Sequence, residues 1–176
     1  MEIKKISLPL NDNIIESLNA GDNVLLTGYM YTGRDAAHKR LCQLLDEGKE
    51  LPLDIKDQTI YYVGPAPAKP GYVIGPAGPT TSYRMDAYTV PLLEKGLKGM
   101  IGKGLRSTEV IEGIIKHKAV YLAAIGGAAA LISKSIKSKE IICYEDLGTE
   151  AVQKLYVEDF PAIVVIDSKG NNLYDR

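Results

Sequence analysis

The stretch GMIGKGLRSTEVIEGIIKHKAVYLAAI, residues 99–125, decides the fold class of this chain. Residues 99–101 and 120–125 are apolar runs typical of buried strands, and residues 107–117 have the apolar spacing of a helix that Ser107 or Thr108 caps. A helix that connects two strands in this way allows them to lie side by side and parallel. The stretch therefore predicts an α/β domain with a mainly parallel sheet.

The same alternation continues on both sides of this stretch. Further strands are predicted at residues 4–8, 23–31 and 141–144, and further helices at 14–18, after an N-cap at Thr32, at 90–95 and at 128–136. Within the second of these strands, the continuous apolar run at residues 24–26 predicts burial on both faces of the sheet.

Two segments depart from this alternation. Residues 61–79 contain five prolines and four glycines, yet residues 61–63 and 72–74 are expected to pair as short strands. Residues 162–166 and 172–174 are expected to form a hairpin with Gly170 in a left-handed conformation. These pairings imply a second, partly antiparallel sheet, so we expect residues 1–176 to form one three-layer β/β/α domain.

The composition excludes several classes of partner. A formal net charge of −1 over 176 residues provides no basic surface for nucleic acid. The longest apolar run, residues 119–132, is interrupted by Gly126 and Gly127 and is too short to span a bilayer, and the first residues lack the apolar core of a signal peptide. We therefore expect a cytoplasmic protein that binds neither nucleic acid nor a membrane.

The few residues able to ligate a soft metal are widely spaced along the chain. There are two cysteines, Cys42 and Cys143, and two histidines, His38 and His117, with no CxxC pair among them. Reduced thiols are the simplest interpretation, and we expect no metal to be bound by this chain itself. Any iron–sulfur cluster has to be held by another protein.

Three glycine-flanked segments place polar residues where a strand ends or a helix begins, and backbone N–H groups there favour anions. In the first, residues 28–38, Arg34 lies in the first turn of a helix, where its charge is unfavourable without a compensating anion. The alternative is a surface salt bridge, for example with Asp35. His38, about one turn further on, is either a supporting group or an ordinary structural histidine.

The second segment, GPAGPTTSYRMD at residues 75–86, combines three consecutive hydroxyl side chains with Arg84. If a helix starts near Thr81 or Ser82, its N–H groups, the hydroxyls and Arg84 face one small volume that suits a carboxylate. Ordinary capping of that helix by Thr80 or Ser82 is the alternative.

The third segment places Lys103 between Gly102 and Gly104, where the backbone can approach a ligand closely. A solvated lysine in a turn has the same sequence. A phosphate loop is excluded, because Leu97 replaces its first glycine and Gly104 its hydroxyl residue. The later run IGGAAA, residues 125–130, lacks the dinucleotide-binding spacing and predicts close packing of a helix on the sheet.

Taken together, these motifs and their order resemble the beta subunit, or C-terminal domain, of class I fumarases and L-tartrate dehydratases. The resemblance covers nearly the whole chain, through GRDAAH at 33–38, GPTTSYRMD at 78–86, IGKG at 101–104, GGAAAL at 126–131, EDLGTEA at 145–151 and VEDFPA at 157–162. It implies a swivelling β/β/α domain that docks on a larger alpha subunit, in an assembly of two alpha and two beta subunits. It also implies that the alpha subunit holds a 4Fe–4S cluster through three cysteines.

The resemblance implies a reaction and a set of site residues. The reaction is the reversible hydration of the dicarboxylate fumarate to L-malate, with dehydration of tartrate or a related 2-hydroxy dicarboxylate as the alternative. Arginines and a lysine bind the substrate carboxylates in this family, and these roles carry over to Arg34, Arg84 and Lys103. The first threonine of the pair, Thr80, is the candidate proton-transfer residue.

Three more residues, His38, Thr81 and Asp86, are candidate supporting groups that would contact the substrate-binding side chains rather than the substrate. A hypothesis of another class is a non-catalytic domain that binds a small anion or serves only in assembly. The presence of all four principal residues argues against it, because a degenerate relative would be expected to lose at least one.

Overall fold

A computed structural model describes residues 2–124 and 129–175, and for Ala129 only the backbone. The strands in these ranges are β1 Ile3–Ser7, β2 Asn23–Thr32, β3 Thr59–Tyr61, β4 Gly99–Gly102, β5 Val120–Ala124, β6 Ile136–Cys143 and β7 Val152–Ile166. The α-helices are α1 Asp12–Ser17, α2 Asp35–Asp46, α3 Asp86–Glu94, α4 Thr108–His117 and α5 Ala129–Ser135. Short 3-10 helices occupy Ser82–Met85, Glu145–Glu150 and Leu173–Asp175.

The strands form one sheet in the order β1-β2-β3-β4-β5-β7-β6. Strands β1 to β5 are parallel to their neighbours, whereas β7 is antiparallel to β5, to β6 and also to β2. Because β7 pairs with both β5 and β2, the strands β2, β3, β4, β5 and β7 close into a barrel. The α/β class predicted from residues 99–125 is therefore confirmed, but the sheet is mixed rather than mainly parallel, since three of its pairings, all with β7, are antiparallel.

The prediction of a second, separate sheet is wrong for the described residues, since the antiparallel strands continue the same hydrogen-bonded sheet. Residues 72–74 lie in no strand, and the proline-rich segment has isolated backbone bonds instead, from the Ala66 N–H to the Pro76 carbonyl and from the Tyr72 N–H to the Lys69 carbonyl. Five prolines in this segment supply no N–H donor, which leaves too few donors for a ladder. The swivelling three-layer arrangement stays a prediction.

The C-terminal third also differs from its prediction. Strand β6 begins at Ile136 rather than at 141, and β7 begins ten residues before the predicted start at 162. The predicted hairpin is reduced to one bridge, between Ile166 and Asn172, and a 3-10 helix takes the place of its second strand. Gly170 has a φ of +89°, so its predicted left-handed conformation is confirmed.

Apolar side chains pack in two clusters, because successive residues of a strand point to opposite faces of the sheet. In β3, Tyr61 packs edge-on against Phe160 with ring centroids 5.2 Å apart, in the first cluster, while Ile60 belongs to the second cluster with helix residues such as Leu92. Burial on both faces also explains why β4 and β5 are continuous apolar runs. Double burial of β2 is only partly correct, since Leu25 is partly exposed.

Within the described ranges, every helix falls short of the length and apolarity that crossing a membrane requires. The closed sheet also has a consequence for the site, because the carboxyl ends of parallel strands β2, β3 and β4 lie at one edge. Side chains that follow these strands are consequently brought near one another.

Candidate active site at the carboxyl ends of the parallel strands

The predicted basic residues follow neighbouring strands at this edge. Arg34 comes two residues after the end of β2, and Lys103 comes directly after β4. Gly64 follows β3, between them, and a side chain at Gly64 would collide with Arg34. The strand order thus brings together two residues that are far apart in the sequence.

The segment of residues 78–86 is laid along this edge by backbone hydrogen bonds. The Thr80 N–H donates to the Tyr62 carbonyl at 2.7 Å, and the Ser82 N–H donates to the Lys103 carbonyl at 2.8 Å. Thr81 forms an isolated parallel bridge with Lys103. Thr80 and Lys103, predicted separately from two motifs, therefore belong to the same local structure.

The hydroxyls of this segment have different environments. Ser82 is buried, and its Oγ lies 2.7 Å from the Tyr121 hydroxyl, which donates to the Gly104 carbonyl at 2.8 Å. Thr81 stands at the N-cap position of the 3-10 helix but makes no capping hydrogen bond with its side chain. Helix capping by Thr80 or Ser82 is not observed, and the Thr80 hydroxyl forms no hydrogen bond within the described residues.

Gly102 explains how Ser82 reaches this buried position. A Cβ at residue 102 would collide with Ser82 Oγ and would lie 2.8 Å from Tyr62 Cδ2. Glycine is therefore required here by close approach of a neighbouring side chain. The sequence suggests that a ligand can approach the backbone at the GKG motif, residues 102–104. In the structure, the first glycine of this motif has a packing role.

Arg84 lies on the 3-10 helix that precedes α3 and forms an ion pair with Asp35, at the start of α2. The distance from Arg84 Nε to Asp35 Oδ2 is 3.0 Å, and the two side chains are 46% and 36% exposed. The alternative of an Arg34–Asp35 salt bridge is therefore wrong, because Asp35 is engaged by the other arginine. The pair links residues 78–86 to α2.

Arg34 occupies the N-cap position of α2, with its side chain passing over Gly64. Its Nε atom is buried and has no hydrogen-bond partner among the residues described. The prediction of Thr32 as the N-cap is wrong, since the Thr32 hydroxyl accepts from the Gln153 N–H at 3.0 Å and bonds to the Ala151 carbonyl. The Thr32 hydroxyl is thus hydrogen-bonded to residues at the start of β7 instead of capping α2.

His38 is buried one turn into α2 and contacts the backbone of Arg34. Its Nδ1 lies 2.8 Å from the Arg34 carbonyl, which can only accept, so Nδ1 carries the proton and Nε2 does not. Burial lowers the pKa of the imidazole from 6.5 to about 4, which keeps it neutral at pH 7. His38 thus contacts the Arg34 backbone, which both a supporting group and an ordinary structural histidine could do, and its supporting role stays a prediction.

Asp86 contacts neither Arg34 nor Arg84. It forms an ion pair with Arg106, with 2.7 Å between Asp86 Oδ1 and Arg106 Nε, and accepts from the Ser107 N–H at 2.6 Å. Any support that Asp86 gives to the site passes through this pair.

Arg106 was missed in the sequence. Its side chain is fully buried behind residues 78–86, donates to the hydroxyls of Tyr62 at 3.1 Å and Thr89 at 3.0 Å, and stacks over the ring of Tyr121 at 4.7 Å. The only sequence signal was its place between a glycine turn and the cap of α4, which does not distinguish a buried arginine from an exposed one.

The charges at this edge are unbalanced. Arg34 and Lys103 form no ion pair with any described residue, Arg84 pairs with Asp35, and Asp86 is neutralised by Arg106. Among these site residues, the three cations Arg34, Arg84 and Lys103 and the carboxylate of Asp35 leave two net positive charges. A small ligand with two negative charges would balance them.

Metal ligands are not grouped in the part of the chain that the structure describes: no three His, Cys, Asp or Glu side chains there could hold a metal ion together. The Cys42 thiol donates to the Tyr88 carbonyl at 3.3 Å, and burial raises its pKa to about 11. Burial also raises the pKa of Cys143. Both thiols are therefore protonated at pH 7 in the absence of a metal. The helix–sheet packing predicted for residues 125–130 falls mainly on residues 125–128, which lie outside the described residues.

Comparison with known proteins identifies relatives that match most or all of this chain. The model of the family described as "Fumarase C-terminus" matches residues 1–176. The anaerobic class I fumarate hydratase of Escherichia coli is 49% identical over 154 residues, which are 86% of this chain and 28% of that protein. Fumarate hydratase 2 of Leishmania major is 43% identical over 89% of this chain and 28% of its own length.

A third relative is similar along most of its own length. The putative L(+)-tartrate dehydratase subunit beta of Methanocaldococcus jannaschii is 36% identical over 168 residues, 92% of this chain and 86% of that protein. The chain therefore spans less than a third of the fumarate hydratases it matches but most of this separate subunit.

Proposed function

The chain belongs to the fumarase C-terminus family, and from this membership we propose that it is the beta subunit of a hydro-lyase that reversibly hydrates fumarate to L-malate. The observation that carries the proposal is the gathering of Arg34, Thr80, Arg84 and Lys103 at one edge of the sheet. With Asp35 these residues have two net positive charges, which match the two carboxylates of such a substrate.

The arginines and the lysine would bind the substrate carboxylates in different ways. Arginine offers a planar fork that fixes the orientation of a carboxylate, whereas lysine acts as a compact point charge. As the C–H bond next to a carboxylate is broken, negative charge moves onto that carboxylate. Fixed cations such as Arg34, Arg84 and Lys103 then stabilise the transition state more than the ground state.

Thr80 is the group that we assign to proton transfer. Its hydroxyl makes no hydrogen bond within the described chain, so it is free to face a ligand, while its backbone N–H is held by Tyr62. A threonine hydroxyl is a weak base at its ordinary acidity, and positive charge nearby favours its deprotonated form. Lys103, joined to the same segment through Thr81 and Ser82, supplies such a charge.

The rest of the active site comes from a second subunit in this proposal. Lys103 and Arg84 are exposed, which leaves this edge open toward a partner. The fumarate hydratases include a segment more than twice as long as the one this chain matches, and the subunit from M. jannaschii is named as a beta subunit. We assign the 4Fe–4S cluster to the corresponding alpha subunit, in an assembly of two alpha and two beta subunits with this chain as a swivelling, layered domain.

Dehydration of tartrate is the second candidate. It is favoured by the match to the tartrate dehydratase subunit, which extends over 86% of that protein. Both substrates are dicarboxylates, so the same cations would bind either one. The additional hydroxyl of tartrate has to be recognised by other groups.

The test is reconstitution. The chain is mixed anaerobically with the cluster-bearing alpha subunit from the same organism, and L-malate and tartrate are compared as substrates by the ultraviolet absorbance of fumarate and by analysis of the products. We expect malate–fumarate interconversion by the mixture and none by the isolated chain. Strong hydratase activity of the isolated chain would refute the assignment of the remaining groups to a partner.

A further inference from the structure

The ion pair between Arg84 and Asp35 uses only one edge of the arginine. The Nε atom donates to Asp35 Oδ2 at 3.0 Å, whereas the two terminal nitrogens have no hydrogen-bond partner within the described residues. An arginine can bind a carboxylate through its two terminal nitrogens or through Nε and one of them. Because Nε of Arg84 is bound to Asp35, only the two terminal nitrogens are left for a substrate carboxylate.

We infer that Asp35 is a positioning residue, which holds the guanidinium of Arg84 so that its two terminal nitrogens face a substrate carboxylate. This inference rests on the proposed function, since it concerns the substrate of the same site. It assigns to Asp35 a role in orientation rather than in contact with the substrate.

Asp35 is well held for this role. It is the first residue of α2, a helix of twelve residues that is anchored by the buried side chains of Ala37, His38 and Leu41. The helix dipole stabilises a carboxylate in this first turn. Arg84, by contrast, lies on a 3-10 helix of only four residues. The longer helix, α2, therefore holds the accepting carboxylate of Asp35 in place, and this carboxylate orients the side chain of Arg84.

The ion pair contributes little to the stability of the fold, because both side chains are partly exposed and water screens their attraction. A long arginine side chain without a fixed acceptor has several rotamers available. Loss of Asp35 should therefore affect catalysis much more than folding, and a merely structural residue would show the reverse.

The experiment compares Asp35→Ala with Asp35→Asn in the reconstituted complex. Both variants lose the same charge, but only asparagine keeps an oxygen that can accept from Arg84 Nε. We expect Asp35→Ala to lower kcat/KM for malate by about 10- to 100-fold, the scale of a lost charge-assisted hydrogen bond, and Asp35→Asn to stay within about threefold of wild type. The loss in Asp35→Ala should disappear when Arg84 is already methionine.

A second measurement uses the isolated chain and needs no activity. In nuclear magnetic resonance spectra of the arginine side chains, the Nε–H signal of Arg84 is identified by its loss in Arg84→Met. Its hydrogen exchange should be slow in the wild type and in Asp35→Asn, and fast in Asp35→Ala. The thermal midpoint of Asp35→Ala should stay within about 3 °C of wild type.

The matched control is Glu16→Ala, which removes the carboxylate of another exposed ion pair, to Lys118, at the opposite end of the sheet. Its kcat/KM should equal that of the wild type. An inactive wild-type complex would contradict the proposed function. An active complex in which Asp35→Ala stays within twofold of wild type, or loses as much with methionine at position 84, would overturn the role of Asp35 alone.

Discussion

Replacing Gly64 with alanine should displace the side chain of Arg34 without unfolding the protein. The new Cβ would lie 2.9 Å from Arg34 Cδ and 3.0 Å from its Nη1, distances shorter than ordinary van der Waals contact. Gly64 has no left-handed φ, so alanine does not strain the backbone there. The atoms that have to yield belong to the outer part of a flexible side chain, and Arg34 therefore moves instead of the main chain.

The effects on stability nearly cancel. Alanine reduces the conformational entropy of the unfolded chain, which stabilises the fold by about 0.4–1 kcal/mol, and a strained rotamer of Arg34 costs about 0.5–1.5 kcal/mol. We expect the free energy of unfolding to change by less than about 1 kcal/mol, as measured by denaturant titration. The effect on catalysis is larger, because a charged hydrogen bond to substrate is worth about 1.5–3 kcal/mol, or roughly 10- to 150-fold in kcat/KM.

The assay is the steady-state hydration of fumarate by the reconstituted complex, with Arg34→Met as the background control. If Gly64→Ala acts through Arg34, it should have little further effect once methionine occupies position 34. The reasoning is refuted if Gly64→Ala keeps more than half of the wild-type kcat/KM, or if its loss is the same in both backgrounds.

Three further predictions follow from the site. Thr80→Val should reduce kcat by at least about 100-fold, the usual contribution of a proton-transfer group, whereas Thr81→Val, its matched neighbour, should reduce it much less; equal losses would remove Thr80 from proton transfer. Arg106→Met leaves the buried carboxylate of Asp86 without its partner and should lower the free energy of unfolding by about 3–5 kcal/mol in denaturant titrations, while a change below 1 kcal/mol would contradict its buried role. His38 has a lowered pKa in the folded state, so it contributes to the free energy of unfolding as long as it is neutral. This contribution is fully present above pH 6.5 and is lost as the pH falls toward 4, because only the unfolded state takes up the proton in that range. Unfolding measured from pH 7 to pH 4 should show about 3 kcal/mol of this loss, and a His38→Gln variant that keeps the full pH dependence would disprove it.

The parallel half of the fold could be predicted from sequence because its signals are local. Ser107 caps α4 as expected, with its Oγ accepting from the Val110 N–H at 3.3 Å, and Asn11 caps α1 in the same way. Strand β7 could not be delimited, because its burial depends on pairing with three strands, of which β2 is more than a hundred residues away in the sequence. Its segment contains charged residues and Pro161, which local patterns assign to loops.

The candidate site, like the fold, could be predicted from sequence only where its signals are local. Arg34, Thr80, Arg84 and Lys103 were identified from motifs, and the structure places them at one edge, although their roles stay predictions. The partner of Asp35 could not be chosen from sequence, since adjacent Arg34 and distant Arg84 are equally plausible there.

The barrel closure by β7 also bears on how the chain reaches its native state. Asn23 pairs with Ile163 and Tyr31 with Lys154, so the closing contacts join residues more than a hundred positions apart. Such non-local pairing is slow, because the entropy of closing a long loop is lost before the contacts compensate it. On the ribosome, β2 can pair with β1 and β3 early, but its third neighbour, β7, is synthesised more than a hundred residues later, and Thr32 stays without its β7 partners until then. Arg34, two residues further on, should therefore gain its final position among the last steps of folding, which would delay the assembly of a competent subunit until β7 has been synthesised.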